Sequence, residues 1–195
     1  MKKVVIFDLN GVFVLSPKLN ERYEKEFGVS ANEFLPALKE VMAVIRQPQA
    51  PDAYNVWKPY LDKWGLNLSR EQFLEFWFSA EGGNEEMVAL ARELKRKGFK
   101  FFILSNNFRE RAEYYDQNFP FFTELFEKIY YSWQTGFVKP DCRAFELVLV
   151  ENHLKPEETI FFDDSEKNIE VAKSLGIKAY IFGGAAEVKT KVIAE

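Results

Sequence analysis

The sequence has a single cysteine, a single histidine, and no large excess of charge of either sign. One cysteine cannot form an internal disulfide, which fits a reducing compartment. A net charge of -4 provides no broad electrostatic basis for binding nucleic acid or an anionic membrane. No apolar run has the length of a transmembrane helix, and Asp8 ends the first run too early for a signal peptide. We therefore expect a cytoplasmic protein with no nucleic-acid or membrane partner.

The composition is that of an ordinary soluble globule, with 47% hydrophobic and 29% charged residues among 195. This length predicts one domain, or one domain with a modest insertion, and it is sufficient for a hydrophobic core that folds without disulfides. Aromatic residues make up 16% of the chain. Most of these rings are expected to pack in the core.

Five short apolar segments are rich in Val, Ile, Phe and Tyr, and they are continuous rather than alternating. This pattern is typical of parallel strands buried on both faces of a sheet. The segments are Val4–Phe7, Phe99–Leu104, Ile129–Trp133, Thr159–Phe162 and Lys178–Phe182. Predicted helices separate the last four: Asn84–Lys97, a helix opened by Pro140, and Ser165–Leu175. The alternation predicts an α/β fold with a doubly wound, parallel five-stranded sheet.

The long segment between the first two strands contains little strand pattern. Capping-box patterns at Ser30 and Ser69, each with Glu or Gln three residues later, predict the starts of two helices there. We therefore predict a helical cap at residues 16–83. The α/β core domain would then comprise residues 1–15 and 84–195.

Polar side chains cluster at the predicted carboxyl ends of the strands, where open parallel sheets bind ligands. They are Asp8, Asn10 and Gly11 after the first strand, Ser105, Asn106 and Asn107 after the second, Lys139 after the third, and Asp163 and Asp164 after the fourth. Crowded carboxylates repel one another, so a cation is expected to hold them. Because the candidate ligands are oxygens, with no Cys/His cluster, the expected cation is Mg²⁺.

Four sequence strings lie in order on these elements: FDLNGV (Phe7–Val12), ILSNN (Ile103–Asn107), VKPD (Val138–Asp141) and FFDDSEKN (Phe161–Asn168). They resemble the four motifs of the haloacid dehalogenase (HAD) superfamily, and the resemblance covers nearly the whole chain. The helical insertion and the last two strings are similar to subfamily I with a small helical cap. Within it, the chain most resembles the branch of α-D-glucose-1-phosphatase type. The resemblance implies a Rossmann-like core and a phosphatase acting on a small phosphorylated metabolite, such as a sugar phosphate.

The resemblance also implies roles for individual residues. Asp8 would attack phosphorus and form an aspartyl-phosphate. Residues contacting the phosphoryl group would be Gly11, Ser105, Asn106 and Lys139. Mg²⁺ would be held by Asp8, Asp164 and the backbone carbonyl of Asn10, while Asp163 would either support or share the metal site.

Position 10 departs from the family pattern. Hydrolases of this family usually have an aspartate there, which protonates the leaving oxygen and later activates water. An amide cannot do this, and acid–base catalysis is commonly worth about 10²–10⁴-fold. Two readings therefore stay open: a phosphatase, whether or not it is slowed by this change, and a non-catalytic phospho-ligand binder or regulator. A dehalogenase is disfavoured because Asp164 indicates a metal, which displacement at carbon does not need.

The sequence leaves open the roles of Asn168 and of the aromatic residues in the predicted cap. Asn168 either steadies the loop of the fourth motif or lies on a helix surface. In the cap, most aromatic residues recur at helical spacings that predict core packing. Trp57 and Tyr23 are the candidates to face the substrate.

Overall fold

The central sheet has five parallel strands. The computed structural model describes residues 4–194. Within them, the strands are β1 (Val4–Phe7), β2 (Val14–Leu15), β3 (Gly82–Gly83), β4 (Lys100–Ser105), β5 (Lys128–Tyr131), β6 (Thr159–Asp163) and β7 (Lys178–Ile181). The central sheet has the order β5-β4-β1-β6-β7, and β2 pairs with β3 in a separate antiparallel ribbon. This confirms the predicted parallel α/β sheet, with β1 in its centre.

Helices lie on both faces of the sheet and in the insertion. Over residues 4–194 they are α1 (Leu19–Phe27), α2 (Ala31–Ile45), α3 (Ala53–Lys63), α4 (Arg70–Phe78), α5 (Glu85–Arg96), α6 (Arg109–Asn118), α7 (Phe121–Leu125), α8 (Ser132–Thr135), α9 (Cys142–Glu151), α10 (Glu166–Ser174) and α11 (Ala185–Ala194), with a 3₁₀ turn at Pro156–Glu158. In this part of the chain, no helix is both long and apolar enough to span a bilayer.

The strand β1 is buried on both faces. Val5 and Phe7 pack in one apolar cluster, with side chains of α5, α7 and α11. Val4 and Ile6 point the other way, into a cluster with α9 and α10. Each fully buried side chain of this size contributes about 1.5–3 kcal/mol of hydrophobic free energy. The double burial explains why the strand has a continuous apolar pattern.

Two of the predicted boundaries are wrong near the third strand. The strand β5 ends at Tyr131, because Ser132 begins α8 and its hydroxyl bonds the backbone of Asn107 at 3.0 and 3.1 Å. The next helix begins at Cys142 and not at Pro140, since the Asp141 carboxylate caps it by accepting from the backbone N–H of residue 143 at 2.9 Å. An aspartate side chain can satisfy a free N–H at a helix start.

The helices α1–α4 pack around an aromatic core that also includes Phe108, the residue before α6. The ribbon of β2 and β3, in which Val14 faces Gly83, brings the two ends of this insertion together. The predicted cap boundaries fall at this ribbon, and the division into two domains stays a prediction. Residues 1–3 and 195 of the predicted core domain lie outside the described residues.

One of the two predicted capping boxes forms. The Ser69 hydroxyl accepts from the backbone N–H of Gln72 at 3.2 Å, and the Gln72 side chain accepts from the backbone N–H of Ser69 at 2.8 Å. At the start of α2, however, the Ser30 hydroxyl donates to the Glu33 carboxylate at 2.9 Å and makes no capping bond to the backbone. The box predicted at Ser30 is therefore wrong, although the helix begins where it was predicted.

Candidate active site

Three carboxylates meet at the carboxyl edge of the sheet. Asp8 follows β1, Asp163 ends β6, and Asp164 begins the next loop. One oxygen from each lies within 4.8 Å of the others. Because β1 and β6 are paired neighbours, the sheet itself brings together groups that are far apart in sequence. The donor set consists of hard oxygen ligands and fits a divalent cation such as Mg²⁺.

Lys139 joins two of these carboxylates. Its Nζ lies 2.8 Å from Asp8 Oδ1 and 2.5 Å from Asp163 Oδ2, and its side chain is 1% exposed. Burial alone would lower the pKa of Lys139, but the attraction of Asp8 and Asp163 outweighs it and raises the pKa. The lysine is therefore a fixed, protonated ammonium beside Asp8.

Asp8 is the more open partner of this lysine, with 13% of its side chain exposed. Burial raises the pKa of the Asp8 carboxyl; Lys139 opposes this shift and Asp163 reinforces it. A second cation would favour the ionised form, which is the nucleophilic one.

Asp163 is fully buried and its oxygens are occupied. Oδ1 accepts from the backbone N–H of Ser165 at 2.9 Å and from Asn168 Nδ2 at 2.9 Å. Oδ2 accepts from Lys139 at 2.5 Å and from Asn168 Nδ2 at 3.0 Å. The question left open for Asn168 is thereby settled, since this buried side chain steadies the loop after β6 through Asp163.

Asp164 faces the turn that follows β1. Its side chain is exposed, and a Cβ placed on Gly11 would lie 3.2 Å from its Oδ2. Gly11 has φ of +86°, a conformation that glycine adopts without strain. Burial and the repulsion of Asp163 raise the pKa of Asp164. The glycine thus permits both the turn and the close approach of the carboxylate.

The end of β4 supplies a free hydroxyl. Ser105 Oγ is buried and has no hydrogen-bond partner among the described residues. An unpaired buried polar atom costs free energy unless a ligand satisfies it. The Asn106 side chain instead holds the backbone of Lys139, with Nδ2 donating to its O and Oδ1 accepting from its N–H, both at 2.8 Å. This positioning role of the Asn106 side chain was not predicted from the sequence.

Asn10 is held by a buried tyrosine. Its Nδ2 donates to Tyr115 Oη at 2.6 Å. Burial holds the pKa of Tyr115 well above its ordinary value, so the phenol keeps its proton. The amide at position 10 is therefore fixed by a neighbour on α6 that no sequence motif indicates.

Two arginines that the sequence analysis missed line the same cavity. Its volume is about 330 Å³, and Arg46 and Arg111 contribute to its wall together with Asp8, Asn106 and Lys139. The guanidinium of Arg111 forms a buried ion pair with Glu81 at 2.5 Å. Arg46 comes from the end of α2, so the cavity lies between the sheet edge and the insertion.

The two aromatic residues proposed to face the substrate do not do so. Tyr23 is 1% exposed and Trp57 is fully buried, and both belong to the aromatic core of α1–α4. Trp57 stacks on Phe34 with ring centroids 5.4 Å apart. The prediction was wrong because helical spacing alone does not distinguish a ring that faces a ligand from one that faces another helix.

A family model described as haloacid dehalogenase-like hydrolase matches residues 2–176. The chain belongs to this family. The HAD architecture also appears in a HAD family enzyme from Bacteroides thetaiotaomicron, solved with magnesium and inorganic phosphate. That structure superimposes with a TM-score of 0.76 at 25% identity, covering 93% of this chain and 94% of the other.

Two curated proteins show further similarity to this HAD chain. D-ribitol-5-phosphate phosphatase from Bacteroides thetaiotaomicron is 30% identical over 91 residues, which is 44% of either chain. Bifunctional epoxide hydrolase 2 of Mus musculus is 25% identical over 201 residues, covering 90% of this chain and 35% of that protein. The chain thus spans about a third of the length of the mouse relative.

Proposed function

We propose that the protein is a Mg²⁺-dependent phosphatase of a small phosphorylated metabolite. The observation that carries this proposal is the pairing of the partly open Asp8 carboxylate with the buried Lys139 ammonium at 2.8 Å, on the wall of the cavity. Phosphoryl transfer requires mainly a positioned nucleophile and fixed positive charge. The predicted resemblance to the α-D-glucose-1-phosphatase branch would make a sugar phosphate the substrate. Both the branch and this substrate stay predictions.

In the proposed reaction, an Asp8 oxygen forms a bond to phosphorus as the bond from phosphorus to the ester oxygen breaks. The alcohol leaves with a proton taken from water, and a second water cleaves the aspartyl-phosphate to release inorganic phosphate. Ser105 Oγ, which lacks a protein partner, would donate to a phosphoryl oxygen. The backbone N–H of Asn106 would do the same, and Lys139 would neutralise the developing charge.

Asp8, Asp164 and the backbone carbonyl of Asn10 would hold the Mg²⁺ ion. When bound, the ion would polarise the phosphoryl group and offset the repulsion between the carboxylates. We propose that Asp163 acts through Lys139, because both of its oxygens already accept two hydrogen bonds. The relative from Bacteroides thetaiotaomicron solved with magnesium and phosphate supports this ligand chemistry.

The first test is hydrolysis of p-nitrophenyl phosphate with and without Mg²⁺, followed by a panel of phosphorylated metabolites. We expect turnover that needs the metal. Binding of phosphate esters without turnover would favour the second candidate, a phospho-ligand binder or regulator. The amide at position 10, held by Tyr115, is the observation that favours this alternative.

Mg²⁺ is expected to stabilise the fold. An ion that binds the folded state contributes about 2.7 kcal/mol at a hundred times its Kd, which is roughly 5–10 °C in the melting temperature for a chain of this size. Asp164→Ala should abolish this shift, whereas Glu166→Ala, which removes an exposed carboxylate two residues away, should keep it. Differential scanning fluorimetry measures both. An equal shift in both variants would contradict the ligand role of Asp164.

Asn10→Asp is expected to raise kcat on alkyl phosphates by at least about tenfold, because it restores a group able to donate and accept a proton. The gain in kcat/KM should be smaller on p-nitrophenyl phosphate, since nitrophenolate leaves without a proton. The kcat/KM of the parent protein should depend steeply on leaving-group pKa, and slow hydrolysis of the aspartyl-phosphate should let the phosphoenzyme be trapped with esters that leave easily. Steady-state kinetics and acid-quench trapping measure these effects.

Asn118→Asp, which makes the same change at an exposed position, is the matched control and should leave kcat unchanged. Asn10 precedes Gly11, a pair prone to deamidation, so intact mass and peptide mapping must first establish that the parent protein contains asparagine. If homogeneous Asn10 protein is as fast as Asn10→Asp on every ester, another group supplies the proton or chemistry does not limit turnover.

A further inference from the structure

Arg46 lies where the insertion meets the proposed catalytic cavity. It follows the last residue of α2 and lines the cavity that contains Asp8 and Lys139. It also lines two adjoining cavities along α2. Asp8, Asn106 and Lys139 line the cavity from the sheet edge, whereas Arg46 lines it from the insertion. A phosphoryl group bound at the sheet edge would have its leaving group toward Arg46.

Among residues 4–194, Arg46 forms no salt bridge, in contrast to Arg111. Arg46 Nε is buried and has no hydrogen-bond partner in the described part of the chain, whereas Arg111 is paired with Glu81. Burial lowers the pKa of Arg46, the repulsion of Arg111 lowers it further, and Asp8 raises it. Guanidinium groups remain protonated in proteins, so the half-buried Arg46 brings a positive charge to the cavity wall, attracted by Asp8 but in no ion pair with a described carboxylate. Its buried Nε is a donor without a described partner, which costs free energy, and an anionic group of a ligand would offset this cost by binding the guanidinium.

The backbone beside Arg46 is anchored to the α/β core. Pro48 packs against Gly136, where an added Cβ would lie 3.3 Å from the Pro48 ring. The backbone N–H of Ala53 donates to the buried Glu110 carboxylate at 3.2 Å. Arg46 is therefore held near the cavity before any ligand binds, which reduces the entropy lost on binding.

We propose that Arg46 recognises a second anionic group in the leaving-group part of the substrate, either a carboxylate or a second phosphate. This rests on the proposed phosphatase function and narrows its substrate class to phosphate esters with two anionic groups. In the proposed reaction, the phosphoryl group being transferred would already have Ser105, Asn106 and Lys139 as partners, all on the sheet side. A cavity of about 330 Å³ accommodates a small metabolite of this kind.

The test compares substrates that differ in one charged group. In the carboxylate arm, 3-phosphoglycerate is compared with glycerol 3-phosphate; in the phosphate arm, fructose 1,6-bisphosphate is compared with fructose 6-phosphate. We expect the parent protein to favour the member with two anionic groups in at least one pair by about tenfold or more in kcat/KM, because charge-assisted hydrogen bonds are the stronger ones. The arm that shows the preference identifies the anion.

Arg46→Gln should bring that ratio close to one, and Arg46→Lys should keep part of it, because lysine retains the charge without the planar fork. Lys39→Gln removes an exposed charge from the same helix and should keep the full ratio. Equal losses on both members of each pair in Arg46→Gln would overturn the proposal, since they would place Arg46 on the transferred phosphoryl group. A parent protein without any preference would overturn it too.

The proposed phosphatase function and the proposed role of Arg46 are tested by different measurements. Turnover of p-nitrophenyl phosphate by the parent protein tests the phosphatase function without reference to Arg46. If the parent protein hydrolyses no ester, isothermal titration calorimetry with 3-phosphoglycerate and glycerol 3-phosphate gives the same ratio as Kd values. If the parent protein binds 3-phosphoglycerate more tightly and Arg46→Gln loses this preference, recognition by Arg46 is supported without any turnover. An unchanged Kd ratio in Arg46→Gln would refute recognition by Arg46.

Discussion

Asp8→Asn is expected to lower phosphatase activity by at least about 10⁴-fold while leaving the protein folded. The amide cannot attack phosphorus, so no aspartyl-phosphate can form. Losses of this size or larger accompany removal of an enzyme nucleophile. The fold should persist because Asp8 is the partly open partner of Lys139, which keeps its buried bond to Asp163 at 2.5 Å. Steady-state kinetics and thermal melting measure the two quantities.

Asp116→Asn is the matched control for this change, since it replaces an exposed carboxylate on α6 by the isosteric amide. It should leave both activity and melting temperature within experimental error of the parent protein. Residual turnover in Asp8→Asn that grows on storage would indicate deamidation, which mass spectrometry detects. Stable turnover in a homogeneous, well-folded Asp8→Asn protein would refute the nucleophile assignment.

Lys139→Met is expected to reduce both stability and activity. It leaves the fully buried Asp163 carboxylate without its cation, and breaking a buried ion pair in this way costs about 3–5 kcal/mol. Activity should fall by at least about 10²–10³-fold, because a fixed positive charge beside the transferred phosphoryl group is lost. Urea unfolding and kinetics on p-nitrophenyl phosphate measure the two effects.

The double variant Lys139→Met/Asp163→Asn separates these two effects. Asparagine at position 163 can still accept from the backbone N–H of Ser165, so the loop after β6 keeps one of its bonds. With no buried charge left at position 163, the double variant should recover at least half of the lost stability, whereas activity should remain low. Recovery of activity together with stability would show that Lys139 serves only the fold.

The sequence predicted the strand centres well because burial on both faces leaves a continuous apolar pattern. It predicted ends less well, because local side-chain bonds decide them: the Ser132 hydroxyl ends β5 at the backbone of Asn107, and Asp141 delays the start of α9. A local side-chain bond also explains why the capping box predicted at Ser30 does not form. A serine near a free carboxylate can donate to it instead of accepting from the backbone.

The sequence by itself determined the parallel α/β fold and which polar residues end its strands. Parallel strands present their carboxyl ends at one edge, so Asp8, Asp163 and Asp164 had to come close once β1 and β6 paired. Lys139 lies eight residues beyond β5, and the Asn106 side chain holds its backbone in place. Only the tertiary structure decided how each group is used. Asp163 is enclosed by hydrogen bonds, Asn10 is held by Tyr115 across 105 positions of the chain, and Trp57 is buried among other rings. The placement of Arg46 was likewise decided by packing of the insertion on the core. Such contacts depend on which helix faces pack together, and no local sequence pattern contains that information.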